Sequence, residues 1–453
     1  MQYPEVISQL KKYASDNQPL YLVGGAVRDY ILSKPCNDFD IACSGDARTI
    51  ARKFANENGG SFYMLDEERN TCRVLVNHPS SERVVIDFAK LRGESIEADL
   101  AERDFTINAM AIDLLNTGRI IDPFKGGRDL QEKWLRPVRT TSLQDDPLRT
   151  IRAVRYAVCL GLKIEPGTTT LIGAAVSGLV DISAERKRDE LFKVLEGQNI
   201  SASLQLLQRF RVFEYFPLQI KAGLTGAVRQ ARALEEIIDW LTGCRPPEKQ
   251  AAFYQASLLL ELGRFKEHFK DHFLRRNPSG RNRKTLLQLI LLLDDRLADL
   301  QDEGLRSLAL SVEEGCLIQE FKGNIDLINN IIQKESLPTP IENYYFYKRT
   351  GSTGIDLAIA ALADYVAKIG PDFSQNIWLE RLKTCKTLIE VWYEKPEWVN
   401  PIPLLDGDEL MEFFHLEPGP LIGVLLEDLK QEQVKGGVRT KTEAMKWIDK
   451  KLT

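Results

Sequence analysis

The chain has 453 residues, of which 43% are hydrophobic and 28% charged, a composition typical of folded globular proteins rather than disordered ones. The formal net charge of -5 excludes a uniformly basic nucleic-acid binder, so an RNA or DNA partner would need local clusters of Lys and Arg. The seven cysteines form no CxxC pair, the start lacks a signal-peptide core, and no apolar run reaches the roughly 18 residues of a membrane span. We therefore expect a cytoplasmic protein without a zinc site, a disulfide framework or a membrane segment.

The predicted elements divide the chain into a mixed head and a helical remainder. Short strands and helices alternate up to about residue 125, whereas a period near 3.6 residues indicates helices over the rest. The predicted fold class is α+β, with a mixed sheet and its helices followed by a long all-α body. Shifts in pattern and composition place the domain boundaries as follows: 1–125, 126–200, 201–395 and 396–453.

The first feature of interest is a pair of glycines after a short apolar strand. Tyr21-Leu22-Val23 is predicted to end at Gly24-Gly25, and a helix to begin directly afterwards. A helix N-terminus presents N–H groups to phosphate oxygens, and glycine allows the phosphate to approach closely. Arg28 can add a charge-assisted hydrogen bond. Considered alone, the two glycines are better explained as an ordinary tight turn.

The next strand carries two carboxylates. Asp38 and Asp40 are separated by one residue, so on a strand they project from the same face. Their mutual repulsion favours a divalent cation between them, and Mg²⁺ is the ion preferred by oxygen ligands beside phosphates. A solvent-exposed Asp-x-Asp on an edge strand is the alternative. Asp87, on a later predicted strand, is either a third acidic residue near the metal or a structural residue at the strand end.

A basic helix face follows the head. Arg149, Arg152 and Arg155 are spaced three residues apart and so share one face of a helix. Asp146-Pro147 has the residue types of an N-cap and a first helical position. Because apolar residues occupy the opposite face, we expect the arginines to point into a cleft; a solvent-exposed basic stripe is the alternative.

The densest basic segment lies in the predicted body, between residues 273 and 284. It is either a solvated loop or a contact for the RNA backbone. Its cationic residues are Arg275, Arg276, Arg281, Arg283 and Lys284.

Several of these segments together resemble a known family. Leu22-Val23-Gly24-Gly25-Ala26-Val27-Arg28-Asp29, followed by Asn37-Asp38-Phe39-Asp40, is similar to the signature of the class II tRNA nucleotidyltransferases and bacterial poly(A) polymerases. The resemblance implies a polymerase β-like catalytic head, a neck that recognises the nucleotide base, a tRNA-binding body and a helical tail. It also implies template-independent addition of C or A to the tRNA 3′ end from CTP or ATP, with Mg²⁺ as cofactor and pyrophosphate as product. No protein partner is inferred.

The resemblance also implies roles for individual residues. Arg103 matches a nucleotide-contacting arginine, although Glu102 stands where the family usually has a further arginine. Asp146 and Arg149 match the pair that reads the Watson–Crick edge, for which an amino-group acceptor and a donor are suitable. Arg152 and Arg155 match further nucleotide-contacting arginines.

The identity of the added nucleotides depends in the family on a flexible loop before the second motif. Here only fifteen residues, from Phe88 to Glu102, separate Asp87 from Arg103. Short loops are associated in the family with CC addition, which we therefore favour. Complete CCA addition, A addition and poly(A) synthesis remain alternatives, as do a catalytically inactive RNA-binding relative and a nucleotidyltransferase acting on a small molecule or protein.

Overall fold

The computed structural model describes residues 4–77, 83–116, 119–216, 224–246, 252–294, 308–334, 336–368 and 373–453. The chain forms two compact units, Met1–Phe216 and Pro217–Thr453. The first contains a mixed sheet with helices and the second is helical, so the predicted α+β class is confirmed. The boundaries at residues 125, 200 and 395 stay predictions.

The first unit is built on a seven-stranded sheet with the order β3-β4-β5-β2-β1-β6-β7. Its strands are β1 (Leu20–Val23), β2 (Asp38–Cys43), β3 (Ser61–Asp66), β4 (Thr71–Asn77), β5 (Arg83–Lys90), β6 (Ala111–Asp113) and β7 (Ile120–Ile121).

Strand β2 lies in the middle of this sheet. It pairs antiparallel with β1, where Asp40 is opposite Val23, and parallel with β5, where Asp40 is opposite Asp87. Phe39 and Ile41 are buried, whereas the two aspartates face solvent. The alternation that places the apolar residues in the core therefore holds both carboxylates on the opposite face.

The helices of the first unit pack beside this sheet and continue to residue 209. They are α1 (Pro4–Lys11), α2 (Gly25–Ile31), α3 (Ala47–Glu57), α4 (Ile96–Ala101), α5 (Gly126–Glu132), α6 (Ser142–Asp145), α7 (Arg149–Leu160), α8 (Pro166–Ala175), α9 (Ala184–Leu195) and α10 (Ile200–Arg209). Three short 3₁₀ turns accompany them, at Thr106–Asn108, Val176–Asp181 and Val212–Tyr215. Helix α3 is stabilised at its start and along one face. The Asp46 carboxylate accepts hydrogen bonds from the N–H groups of Arg48 and Thr49, and Phe54 is fully buried.

The prediction that only helices follow residue 125 is wrong in one place. Strands β8 (Trp134–Leu135) and β9 (Lys163–Ile164) pair in parallel within the first unit. Each has two residues, which is too short to produce a recognisable alternation in the sequence.

The described residues of the second unit are mainly helical. The described helices are Leu224–Thr242, Phe253–Leu262, Lys266–Leu274, Arg283–Leu292, Val312–Gly323, Ile325–Ile332, Pro340–Thr350, Thr353–Ala367, Gln375–Glu394, Pro396–Val399, Gly407–Phe414, Pro420–Lys435 and Lys441–Leu452, with a 3₁₀ turn at Gly263–Phe265. Four begin with a reciprocal capping box, at Ser311, Thr339, Asp406 and Thr440. Among the described residues, no helix is both long and apolar enough to span a bilayer.

Candidate functional site

The first unit contains a cleft of about 700 Å³, within the usual range for small-molecule sites. It is bounded by the turn after β1, by β2, and by helices α7 and α9. Ten residues singled out from the sequence line it: Gly24, Gly25, Arg28, Asp38, Asp40, Arg103, Asp146, Arg149, Arg152 and Arg155. The structure therefore brings the predicted carboxylates, glycines and arginines to one place.

The two aspartates of β2 occupy an electrostatically unfavourable position. Although Asp40 is accessible on its strand face, the surrounding protein partly desolvates its carboxylate, and this desolvation raises its pKa to about 6; Arg103 opposes the rise, and the nearby charges of Asp38 and Asp87 add to it. Desolvation also raises the pKa of Asp38, and Asp87 raises it further. A cation between the two carboxylates would remove this penalty, because an opposite charge favours the ionised form.

Asp87 is adjacent to Asp40 across the sheet but is not among the residues that line the cleft. Its two carboxylate oxygens accept hydrogen bonds from Arg73 Nε and Nη2 at 2.8 and 2.7 Å. A bidentate pair of this kind is a strong interaction. The contacts therefore favour the structural interpretation of Asp87 over a metal ligand.

Gly24 lies where β1, β2 and Arg103 meet. Its φ of 72° is in the left-handed region, which glycine adopts without strain. A Cβ at this position would lie 2.8 Å from Arg103 Nη1 and 3.0 Å from Asp40 Oδ2. Arg103 is itself held by Asp99, which accepts from its Nε and Nη2 at 3.2 and 3.1 Å. Glycine is thus needed here for both backbone conformation and space.

We expect Gly24→Ala to reduce nucleotide incorporation about tenfold, because the added methyl would displace Arg103 or Asp40. Steady-state incorporation of labelled nucleotide measures this loss. Gly59→Ala is the matched control, since Gly59 also has a positive φ of 63° but would bring its Cβ within 4 Å of nothing. If both variants lose activity equally, backbone strain rather than crowding is responsible.

Arg28 is fixed on three sides. Its Nε and Nη2 donate to Asp29 at 2.9 and 3.0 Å, and its Nη1 donates to Asn108 Oδ1 at 2.7 Å. Its guanidinium carbon also lies 5.4 Å from the centre of the Tyr156 ring. Asp29 thus forms a local salt bridge with Arg28, and Asn108 is a site residue to which the sequence analysis assigned no role.

Tyr156 is a second residue that the sequence analysis missed. Besides Arg28, the guanidinium groups of Arg152 and Arg155 lie 5.5 and 4.4 Å from its ring centre, within the range of cation–π attraction. The ring is buried and packs edge-on against Phe105. Tyr156 directly follows Arg155 and lies four residues, about one helical turn, after Arg152. This spacing could have indicated that its ring lies beside these arginines.

The arginines of α7 are not a solvent-exposed stripe. Arg152 Nε and Nη2 donate to Asp104 Oδ2 at 2.9 and 2.7 Å, and Arg155 Nε donates to Glu190 Oε1 at 2.6 Å. Both carboxylates are buried, with exposures of 6% and 2%. Although burial alone would raise the pKa of Asp104, Arg152 and hydrogen bonds lower it.

Arg149 is held by backbone oxygens instead. Its Nη1 donates to the carbonyls of Ser142 and Arg103 at 3.1 and 3.4 Å, and its Nη2 donates to the Glu102 carbonyl at 2.9 Å. Burial lowers the pKa of Arg149. These contacts tie the start of α7 to the segment that carries Arg103.

The predicted start of this helix is corrected by the structure. Helix α7 begins at Arg149, and Asp146 precedes it in an extended conformation. The Asp146 carboxylate accepts from the Leu148 N–H at 3.3 Å and from Arg186 Nη2 at 2.9 Å. Because Ser142–Asp145 already forms the separate helix α6, the chain needs a turn at Asp146-Pro147 before α7 can begin.

Glu102, which differs from the family pattern, has a clear partner. Arg139 Nη1 and Nη2 donate to its carboxylate at 2.7 and 3.0 Å, and Nη2 also lies 3.3 Å from Asp145 Oδ2. The carboxylate at position 102 is therefore neutralised, rather than presented alone to an anionic substrate.

The basic segment lies in the second unit and is largely paired. Arg281 donates to the buried Glu314 at 2.9 and 3.0 Å, Arg283 Nε donates to the buried Asp356 at 2.7 Å, and Lys284 contacts Asp239 at 2.5 Å. Arg276 donates to the Gly280 carbonyl. Arg275, 77% exposed, lies 3.8 Å from Asp271. The segment therefore has two parts: Arg275 at its start is exposed, whereas Arg281, Arg283 and Lys284 are paired with carboxylates.

Two family models match this chain. One, described as "Poly A polymerase head domain", matches residues 20–136, and the other, "Probable RNA and SrmB- binding site of polymerase A", matches residues 161–222. The CC-adding tRNA nucleotidyltransferase of Geobacter sulfurreducens is 39% identical over 193 residues, which cover 43% of this chain and 44% of that relative. The A-adding tRNA nucleotidyltransferase of Deinococcus radiodurans is 28% identical over 446 residues, which cover 95% of this chain and 94% of that relative.

Solved structures share the fold. A CCA-adding enzyme in complex with ATP has a TM-score of 0.68 at 23% identity, with 99% of this chain and 95% of that chain covered. The Thermotoga maritima CCA-adding enzyme complexed with tRNA has a TM-score of 0.65 at 22% identity, with 99% of this chain and 96% of that chain covered. At this identity the likeness establishes a common architecture.

Proposed function

We propose that this chain is a member of the class II tRNA nucleotidyltransferase and bacterial poly(A) polymerase family and adds nucleotides to the 3′ end of tRNA from CTP or ATP. Its matches to the two family models and to tRNA nucleotidyltransferases support the proposal. The observation that carries the proposal is the cleft in which Asp38 and Asp40 face the same space as Asp146 and Arg149. The cleft thus contains two carboxylates that suit a metal ion, Asp38 and Asp40. It also contains an acceptor and a donor that suit the edge of a nucleotide base, Asp146 and Arg149. A cytoplasmic location, where tRNA and nucleotides are found, is part of the proposal.

The carboxylates suit a divalent metal, which enzymes of this class generally use, and we take Mg²⁺ to be the ion. Within the described residues, no three or more Asp, Glu, His or Cys side chains form a complete metal site. Mg²⁺ commonly binds through one or two carboxylates together with water and substrate phosphates, which is the kind of ligand set that Asp38 and Asp40 can begin. Bound there, the ion would supply Lewis-acid stabilisation of the reacting oxygens.

The reaction is an in-line displacement at the α-phosphorus. A bond forms between the tRNA 3′-oxygen and the α-phosphorus, the bond from this phosphorus to the pyrophosphate oxygen breaks, and the hydroxyl proton passes to water. We assign the triphosphate to Arg103, which lies beside Gly24, and to Arg28, which lies beside Gly25. Because both are fixed by neighbouring side chains, little ordering is required when substrate binds.

Base selection is proposed to depend on Asp146 and Arg149. An ionised carboxylate accepts a hydrogen bond from the exocyclic amino group of cytosine or adenine, and a guanidinium donates to a ring nitrogen. Uracil and guanine present a carbonyl at the corresponding position and would leave the carboxylate without a donor.

We favour CC addition for the chain. Of the fifteen residues from Phe88 to Glu102, the first three end β5, six form α4 and Glu102 follows that helix, which leaves the five residues Leu91 to Ser95 as the connection between β5 and α4.

The start of this connection is held by two hydrogen bonds, from the Leu91 N–H to the Cys43 carbonyl at 2.9 Å and from the Arg92 N–H to Asp99 at 3.1 Å. At its end, the Ser95 hydroxyl accepts from the Ala98 N–H at 3.2 Å. A short, fixed connection supports the CC-adding alternative, as does the Geobacter relative; the Deinococcus relative keeps A addition as the second candidate.

The proposal is tested with tRNA transcripts that lack CCA, lack only the final A, or are complete, each incubated with CTP or ATP. For a CC-adding enzyme, CTP extends the first transcript by two residues and ATP does not extend the second. Extension of the second by ATP would instead identify an A- or CCA-adding enzyme, and long tails would identify a poly(A) polymerase. Failure to extend any transcript with either nucleotide would contradict the proposed function itself.

We further propose that the basic segment contributes to RNA binding through its exposed start rather than its paired interior. Arg275→Ala is expected to weaken tRNA binding several-fold and leave folding intact, since phosphate contacts act mainly on affinity. Arg281→Ala is expected to lower the free energy of unfolding by about 3 kcal/mol, because it removes the guanidinium that pairs with the buried Glu314 carboxylate. Filter binding and urea denaturation measure the two effects; equal behaviour of the variants in both assays would refute this division of roles.

A further inference from the structure

The Asp146 carboxylate has a second partner that neither the sequence pattern nor the proposed mechanism uses. Arg186, near the start of α9, donates from Nη2 to Asp146 Oδ2 at 2.9 Å, while the Leu148 N–H donates to Oδ1 at 3.3 Å. Each oxygen of the carboxylate therefore has one donor. Arg186 also lines the cleft, as Asp146 does.

This arrangement restricts the orientation of the carboxylate. A carboxylate oxygen has two lone-pair sites, so one donor on each oxygen fixes the plane of the group and leaves the remaining sites for another donor. An unrestrained aspartate would rotate about its χ2 angle, which is broad and soft. The exocyclic amino group of a base can then find an acceptor in one defined direction.

The ion pair between Arg186 and Asp146 is expected to contribute little to the free energy of folding. The side chains of Arg186 and Asp146 are 52% and 25% exposed, and ion pairs between such groups contribute little to folding. Arg186 is also unlike the arginines of α7, whose carboxylate partners Asp104 and Glu190 are buried. The contact is better explained by the geometry it imposes on Asp146.

We propose that Arg186 is a positioning residue for base selection, which holds the Asp146 carboxylate as an oriented acceptor for the amino group of cytosine or adenine. This inference rests on the proposed function of the cleft. Arg186 acts through Asp146 and need not touch the base. Its loss should weaken the preference for amino-bearing bases over uracil and guanine, with a smaller effect on the rate at saturating correct nucleotide.

The test compares kcat/KM for CTP with that for UTP, and for ATP with GTP, in the wild type, Arg186→Ala, Arg186→Lys and Asp146→Ala. Arg186→Ala should lose about tenfold in discrimination, part of the roughly 1–3 kcal/mol that one good base contact provides. Arg186→Lys keeps the charge without the planar fork and should recover part of that loss. Arg211→Ala is the matched control, since Arg211 forms an exposed ion pair with Glu214 at 2.7 Å in the same unit and does not line the cleft.

The double variant Asp146→Ala/Arg186→Ala decides whether Arg186 acts through Asp146. It should discriminate no worse than Asp146→Ala alone; a further loss would mean that Arg186 acts on the base independently. Equilibrium binding of CTP against UTP, and of ATP against GTP, provides the same comparison without turnover. Unchanged selectivity of Arg186→Ala in that assay would overturn the inference even if the proposed function holds, whereas a wild type that binds selectively without extending tRNA would contradict the proposed function alone.

Discussion

Replacing Asp38 and Asp40 together by asparagine is expected to reduce nucleotide incorporation by about a thousandfold or more, equivalent to about 4 kcal/mol of transition-state stabilisation. Asparagine keeps the shape of both side chains but removes the charges that attract a cation. Because Phe39 and Ile41 carry the packing of β2 on its other face, the strand should remain folded. Single-turnover incorporation into tRNA measures the loss.

Metal-dependent stabilisation provides a second readout for this double variant. Binding of a cation to the folded state alone raises the melting temperature, so Mg²⁺ added after chelation should stabilise the wild type but not the variant. Asp66→Asn, at the end of β3 with its side chain 41% exposed, is the control and should respond as the wild type does. An Asp38→Asn/Asp40→Asn protein that incorporates nucleotides at nearly the wild-type rate would disprove the carboxylate metal site.

Arg152→Ala is expected to destabilise the first unit by about 3–5 kcal/mol, the usual cost of removing one member of a buried ion pair. The substitution leaves the Asp104 carboxylate, only 6% exposed, without the guanidinium that bonds to it at 2.7 and 2.9 Å. It also removes one of the three guanidiniums around Tyr156. Urea denaturation followed by circular dichroism measures the change in unfolding free energy.

The double variant Asp104→Ala/Arg152→Ala should be less destabilised than the sum of the two single variants, because it removes both charges together. Arg128→Ala is the surface control: Arg128 pairs with Glu132 four residues later at 2.7 Å and is 66% exposed, so the stability should not change measurably. Additive losses in the double variant would show that Asp104 and Arg152 are not energetically coupled.

Periodicity predicted the elements that have one buried and one exposed face. The alternation in β2 is strong enough to place Asp38 and Asp40 correctly, because Phe39 and Ile41 must enter the core. The short helix α4 was not predicted, since six residues span fewer than two helical turns and give no repeating stripe. The start of α7 was misplaced because Asp followed by Pro is common both at helix N-termini and in turns, and Asp146-Pro147 forms a turn.

The ten cleft residues could be chosen from the sequence because motif and spacing mark each of them. Their supporting partners could not, since these come from distant segments: Glu190 contacts Arg155 across 35 residues, and Asp104 contacts Arg152 across 48. A sequence read locally shows an arginine but not the carboxylate that neutralises it. The same limit made the basic segment look uniform, although Glu314 and Asp356 engage only part of it.

The parallel pairing of β2 with β5 has a consequence for the order of events during synthesis. Strands β3, β4 and β5 are consecutive antiparallel neighbours and can pair as they leave the ribosome, whereas the alignment of Asp40 with Asp87 closes a loop of more than forty residues. Strand β1 gains its second neighbour only when β6 has been made. Non-local pairing of this kind is slow because chain entropy is lost before contacts are gained, so the nascent chain should complete the sheet face that carries Asp38 and Asp40 only after β6 has been translated.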